Sequence, residues 1–386
     1  MIPKIVDFET FVVGNPWKNW VLLKLQSDDG LYGVGEASLN GFARSVVSAI
    51  QDLSRYFQGE NISDATQIAS RMLKGPYSDG GQIHRAAISA VNVAIWDALG
   101  KYLNQPIYNL WGGSVRREIP MYANGWYRHN RTPELFYESA QVAVGKGYQA
   151  LKFDPFGSNQ GFLSRQEEQL SLGIVEATRS AVGSQIDLIV EAHCRFDVPT
   201  ALRLANRLEK FDILWFEEPV SFENSLALID VAKRSPIAIG TGENFTDPEQ
   251  FYTLAANTRN FIFQPDVMNI GGLQAAKRIC EFASDCKIPV APHDAQGSVS
   301  KASTAQLAAT CSAIFIQEDF DEFNVEWTSR IVRGLEKVGK NLVIPSGPGL
   351  GIEVDWSEIR KHPYDVSGYL ELFEDGWETR GSQASP

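Results

Sequence analysis

Cysteine is scarce in this chain, and what there is forms no pattern. The four cysteines, Cys194, Cys280, Cys286 and Cys311, include no CxxC pair among 386 residues. That excludes a disulfide scaffold, and it fits free thiols in a reducing compartment. Positive charge is also in deficit. Lys and Arg total 35 against 47 Asp and Glu, a formal net charge of −12. Nucleic acid and anionic membrane are poor partners for such a surface. No uninterrupted apolar run reaches the length of about 18 residues that a membrane span needs. The N-terminus MIPKIVDFET has no apolar core typical of a signal peptide. Together these absences lead us to expect a cytoplasmic protein acting on a small molecule.

Apolar residues make up 44% of the chain, enough for a sizeable core. The first 115 or so residues read as strands followed by helices. KIVDFETFVV and WVLLKLQSDDG-LYGVGEA are strand candidates around a DDG turn, and helical patterns follow at 42–57, 62–74 and 83–103. Non-alternating order of this kind indicates an α+β domain, here 1–117. From 118 to 323 the pattern alternates. PMYANG, YQALKFD, IDLIVEA, ILWFEE, PIAIGTGE, NFIFQPD, KIPVAPH and AIFIQE are strand candidates separated by helical patterns. This predicts a (β/α)8-type, TIM-like barrel. The segment 324–386 breaks the period and is expected to return to the N-terminal cap.

A row of polar groups ends these strands. Glu191, Glu217, Glu243, Asp266, His293 and Glu318 succeed one another at 26, 26, 23, 27 and 25 residues. Catalytic groups of a TIM-type barrel occupy the strand C-termini, so the row marks a site. Three carboxylates there suit a hard cation such as Mg²⁺. A lone Glu at a strand end is more often an ordinary salt-bridge partner; three at a constant step are not. Asp266 and His293 suit a general-base dyad. His193 follows Glu191 by two residues and, if the strand continues, points the same way. Two imidazoles on different sides of one substrate suit an elimination. Lys152 and Asp154 end the second strand candidate. Glu318, as a carboxylic acid with a raised pKa, could donate to an oxyanion.

The motifs VEAH, WFEEP, GTGEN, QPDVMNIGG, PHD and IQE, in this order and spacing, resemble the enolase superfamily in its mandelate racemase-like subgroup. The resemblance extends over essentially the whole chain. It implies that Glu191, Glu217 and Glu243 bind one Mg²⁺, that Asp266 and His293 form the base dyad, and that Glu318 contacts the substrate carboxylate. Lys152 matches the first lysine of the subgroup's Lys-x-Lys motif. Position 154 holds Asp instead of the second, which disfavours two-base racemisation. The remaining groups resemble those of the acid-sugar dehydratases, gluconate- or galactonate-like, with His193 as the acid. A cycloisomerase of a sugar lactone or anhydro acid, or a racemase or epimerase, is the alternative. Asp154, Asn124, Trp126, Trp20 and Arg195 are candidate substrate contacts, with Tyr127, Arg128 and the cap loops 14–20 and 76–84. The resemblance also implies a homo-oligomer, often an octamer.

Overall fold

The computed structural model describes residues 2–379. Three antiparallel strands open the chain: β1 (Ile5–Val13), β2 (Trp20–Ser27) and β3 (Tyr32–Glu36). β1 pairs with β2 and β2 with β3. Helices α1 (Ala43–Leu53), α2 (Ala65–Lys74) and α3 (Gly81–Tyr102) pack on this sheet. The two glycines of β3 explain how closely α3 approaches. A Cβ at Gly33 would lie 1.9 Å from the Ala94 carbonyl oxygen, and one at Gly35 would lie 1.9 Å from that of Ala90. With no side chain there, the apolar face of α3 settles directly on the sheet backbone.

The barrel follows. Strands β4 (Glu118–Ala123), β5 (Ala150–Phe153), β6 (Asp187–Glu191), β7 (Ile213–Glu217), β8 (Ile239–Thr241) and β9 (Phe261–Phe263) pair in parallel, each with the next. The seventh position narrows to parallel bridges at Val290, which joins Phe263 on one side and Ile314 on the other. β10 (Gln317–Asp319) then pairs with β4 and closes the ring. Seven helices link these eight positions, at Pro133–Gly145, Arg165–Val182, Val198–Leu208, Ser225–Arg234, Pro248–Ala255, Leu273–Cys286 and Ser298–Thr310. After β10 the chain makes short 3₁₀ turns and a hairpin, so an eighth barrel helix does not follow directly.

The barrel interior holds an apolar layer of Tyr122, Ala150, Ile189, Trp215, Ile262, Ala291 and Ile316. Side chains two residues further along a strand point the same way. Lys152, Glu191, Glu217, His293 and Glu318 each lie two residues beyond a member of this layer. The polar groups are therefore the next tier up, resting on a dry floor.

The last part of the chain divides its contacts. Asn341–Val343 pairs antiparallel with β4 at residues 118–120, closing the lower end of the barrel. The following segment reaches the cap: the Leu350 amide donates to Asp97 Oδ1 at 2.8 Å, and Gly14 and His362 share a backbone bond of 2.9 Å. A third tie runs the other way. Glu36, at the end of β3, accepts amide bonds from Gly297 (2.7 Å) and Ser300 (3.0 Å), capping the N-terminus of the barrel helix Ser298–Thr310.

Candidate active site

Parallel pairing sets Glu191 of β6 directly beside Glu217 of β7. Glu243 lies two residues beyond β8. One carboxylate oxygen from each of these three falls within 4.8 Å of the others. Glu191 Oε2 is buried and accepts no hydrogen bond. Burial and the adjacent Glu217 charge push the Glu191 carboxyl well above its ordinary range. Burial acts on Glu217 in the same sense, but the Lys152 ammonium outweighs it and holds that carboxyl at about 2. Crowded, oxygen-only and under-coordinated, the cluster fits a hard divalent cation.

Lys152 stands between the cluster and Glu318, with Nζ 2.6 Å from Glu217 Oε1, 2.9 Å from Glu318 Oε1 and 3.5 Å from Glu191 Oε2. Burial alone would strip its proton; Glu217 and Glu318 raise its pKa well above the usual value instead. Glu318 departs from the expectation of a protonated donor. Burial raises its pKa, but Lys152 and His293 pull it below the ordinary value. Its oxygens accept from Asn124 Nδ2 and from the Asp294 amide, both at 2.8 Å. It is an anion held by three donors, and the donor in this part of the site is Lys152.

His293 Nδ1 meets Asp266 Oδ2 at 2.8 Å. Gln296 Nε2, at 2.8 Å, and the Met268 amide, at 2.7 Å, also bond Asp266. The carboxylate fixes Nδ1 as the protonated nitrogen, so Nε2 faces the cluster, 3.5 Å from Glu243 and 4.0 Å from Glu318. Burial lowers the imidazole pKa, but Glu243, Glu318 and Asp266 together raise it to about 9.

A second pair of the same kind lies on the opposite side of the barrel. His193 Nδ1 is 2.6 Å from Asp154 Oδ2. Asp154 is fully buried and also bonds Arg195 Nη2 and the Phe156 amide. Burial raises the Asp154 pKa; Arg195 outweighs that and keeps it ionised. His193 belongs to the third strand position and His293 to the seventh of eight, so the two imidazoles approach from opposite walls.

Several sequence expectations need correction here. β6 ends at Glu191, and His193 does not continue it. His193 and Cys194 adopt left-handed φ values of 47° and 62°, and the His193 amide turns back onto Glu191 Oε1 at 2.7 Å. That turn, uncommon for residues with side chains, swings the imidazole across to Asp154. Asp154 and Arg195 are paired with each other, and Asp154 with His193; Arg195 also bonds the carbonyls of Gly157 and Ala192. Asn124 is occupied by Glu318. Trp20 is buried in β2 with its ring 6.0 Å from Trp327. Trp126 is packed among Tyr127, Phe136 and Phe153, and its indole N–H donates to the Lys152 carbonyl at 2.8 Å. Both are buried in these aromatic contacts. Sequence reasoning also passed over Lys18, in the cap loop. It is buried, and its ammonium, lowered by burial, feels Asp266, Glu36, Glu243 and Glu318. Its position inside the loop GNPWKNW is the one signal that could have found it.

A barrel with an acidic triad, a lysine and a His–Asp dyad at its strand C-termini, under an α+β cap, defines an enzyme of the enolase type. Comparison with known proteins makes the class specific. Residues 136–358 match the family "Enolase C-terminal domain-like", and residues 10–112 match "Mandelate racemase / muconate lactonizing enzyme, N-terminal domain". The chain belongs to this mandelate racemase/muconate lactonizing enzyme family. It is 31% identical over 370 residues, 95% of each chain, to a D-gluconate/D-galactonate dehydratase of Picrophilus torridus. It is 29% identical over 372 residues, 93% of this chain and 89% of the other, to a D-xylonate dehydratase of Haloferax volcanii. Among solved structures, a mandelate racemase/muconate lactonizing enzyme-like protein of Roseovarius sp. TM1035 superposes with a TM-score of 0.89 at 28% identity, covering 96% of this chain and 98% of that one. Among the described residues no helix is long and apolar enough to cross a membrane.

Proposed function

We propose that the protein dehydrates an aldonate, gluconate- or galactonate-like, to a 2-keto-3-deoxy acid, with Mg²⁺ held by Glu191, Glu217 and Glu243. The observation that carries the reading is the second dyad. A base with an acid opposite it is what an elimination needs. A two-base racemase would instead want a base at position 154, where this chain has an aspartate that serves His193. The names of the relatives support the same reaction class.

His293 Nε2 takes the proton from C2, and the C–H electron pair moves into the carboxylate as an enediolate. When bound, the cation supplies Lewis-acid stabilisation of that developing negative charge. Lys152, aimed into the same space, contributes a fixed positive charge, and Glu318 holds Lys152 in place. His193, doubly protonated with its Nδ1–H held by Asp154, gives its Nε2 proton to the C3 hydroxyl and is left neutral. The enediolate pair forms the C2–C3 double bond as water leaves. The resulting enol tautomerises to the 2-keto acid. The floor of Trp215, Ile189 and Ile316 keeps water out from below.

The test is a panel of aldonates and aldarates with Mg²⁺, assayed for 2-keto acids with semicarbazide. Turnover of one or more aldonates is expected. No turnover across the panel contradicts the proposal, and a product formed without loss of water points to a cycloisomerase.

A further inference from the structure

The proposed reaction assigns no role to the end of the chain, yet one short stretch of it lies against the acid half of the site. The Trp377 ring stands 5.9 Å from the His193 ring at 89°, an edge-to-face contact, and 6.3 Å from the Tyr127 ring at 86°. Phe373 receives the Arg195 guanidinium 5.4 Å from its ring centre. Asp375 accepts a hydrogen bond from Ser158, in the loop after β5. Three contacts within five residues therefore land on His193, on the arginine that holds its aspartate, and on the neighbouring loop. Trp377 is 4% exposed, so this is a packed position.

We infer that residues 373–377 complete the acid half-site and that Trp377 is a positioning residue for His193. The inference rests on the reading of His193 as the acid. The physical need is specific. His193 sits past the end of β6 in a left-handed turn, so no sheet pairing fixes its ring. Asp154 at 2.6 Å and Arg195 at 3.4 Å both meet Nδ1, and contacts at one nitrogen leave the imidazole free to swing about it. An aromatic edge perpendicular to the ring removes this freedom and keeps Nε2 directed at the substrate. Edge-to-face ring pairs add about 0.5–1.5 kcal/mol beyond their buried area, a rate factor of up to about tenfold when the loss falls on one step.

The experiment measures dehydration and C2–H exchange in D₂O for Trp377→Ala, Trp377→Phe, and Trp377→Ala combined with His193→Asn. We expect Trp377→Ala to lower dehydration by about tenfold while changing exchange less than about twofold. Trp377→Phe, which keeps an aromatic edge, should restore most of the loss. Added to His193→Asn, the alanine change should cost nothing further. Equal loss in both reactions, failure of phenylalanine to rescue, or a full additional loss in the double variant would overturn the inference. A second readout needs no turnover. In NMR spectra of the substrate-free protein, Trp377→Ala should shift and broaden the His193 ring resonances and leave those of His293 unchanged. Unaltered His193 resonances would overturn the positioning role even if an aldonate is dehydrated. Altered ones with no sugar acid turned over would defeat the proposed reaction and leave the contact standing.

Discussion

Asp154 accepts a 2.6 Å hydrogen bond from Nδ1 of His193. This pairing reproduces, on the third strand, the arrangement of Asp266 and His293 on the seventh. The site therefore has two oriented imidazoles, to which the proposed reaction gives separate tasks. Replacing Asp154 by Asn keeps the shape but loses the carboxylate that accepts from His193 Nδ1 and orients its ring. Dehydration should fall about 10²-fold or more, while C2–H exchange stays near wild type. Steady-state assay beside exchange in D₂O reads both.

In the proposed reaction His293 carries the first step alone. His293→Asn should abolish exchange and dehydration together, to below about one part in 10³ of wild type. Proton NMR of the recovered substrate, looking for loss of the C2 signal, checks the first half of this, and the keto-acid assay checks the second.

Cation binding should release protons. Without a cation, burial and the neighbouring Glu217 hold the Glu191 carboxyl well above its ordinary range, and His293 is raised to about 9. A divalent charge beside them favours the carboxylate and the neutral imidazole. The folded pKa of each group falls on binding, so affinity for Mg²⁺ should rise from pH 6 to pH 8. Isothermal titration in buffers of different ionisation enthalpy gives the proton count directly. Glu217→Gln should weaken binding about 10²-fold or more, since it removes a ligand and the anchor of Lys152 together.

Stability should depend on a buried charge cluster behind the site. Asp319 is bonded by Lys301, Lys337 and Tyr148, and Lys301 also pairs with Asp321 at 2.9 Å. Burial raises the Asp319 pKa, but Lys301 and Lys337 drive it well below the ordinary value; burial lowers Lys301, but Asp319 and Asp321 drive it up. The sign follows from each direction. A depressed carboxylate contributes stability above its unfolded value near 4 and loses it as pH falls through the folded one. A raised lysine contributes below its unfolded value near 10.4 and loses it as pH rises through the folded one. The cluster is fully effective between about pH 4 and 10. Asp319→Asn should cost about 3–5 kcal/mol at pH 7 by leaving Lys301 buried and under-compensated. It should also flatten the acid limb of a plot of Tm against pH. Calorimetric melts at several pH values test both.

Much of this was legible in the chain because the barrel repeats. Lys152, Glu191, Glu217, His293 and Glu318 could be placed since each follows an apolar strand residue by two, and local alternation fixes direction. Side-chain partners across the molecule were not legible. Nothing local to Asp154 distinguishes a substrate contact from a carboxylate committed to His193, because the turn at His193 and Cys194 depends on a backbone conformation that sequence alternation does not encode. Trp20 and Trp126 looked like sugar platforms because an aromatic near a strand end reads the same whether it faces the mouth or the core. The protonation of Glu318 was misjudged for a related reason. Against burial, Lys152, His293 and the Asp294 amide pull its pKa down, and Lys152 and His293 come from other strand ends.

The central claim is that one histidine begins the reaction and the other ends it. The most direct measurement is His193→Asn incubated with Mg²⁺ and a competent aldonate in D₂O, following C2 deuteration and keto-acid formation in the same sample. The account predicts deuterium at C2 at close to the wild-type rate, with product formation reduced at least about 10²-fold. Loss of exchange together with product, or undiminished product, would contradict it.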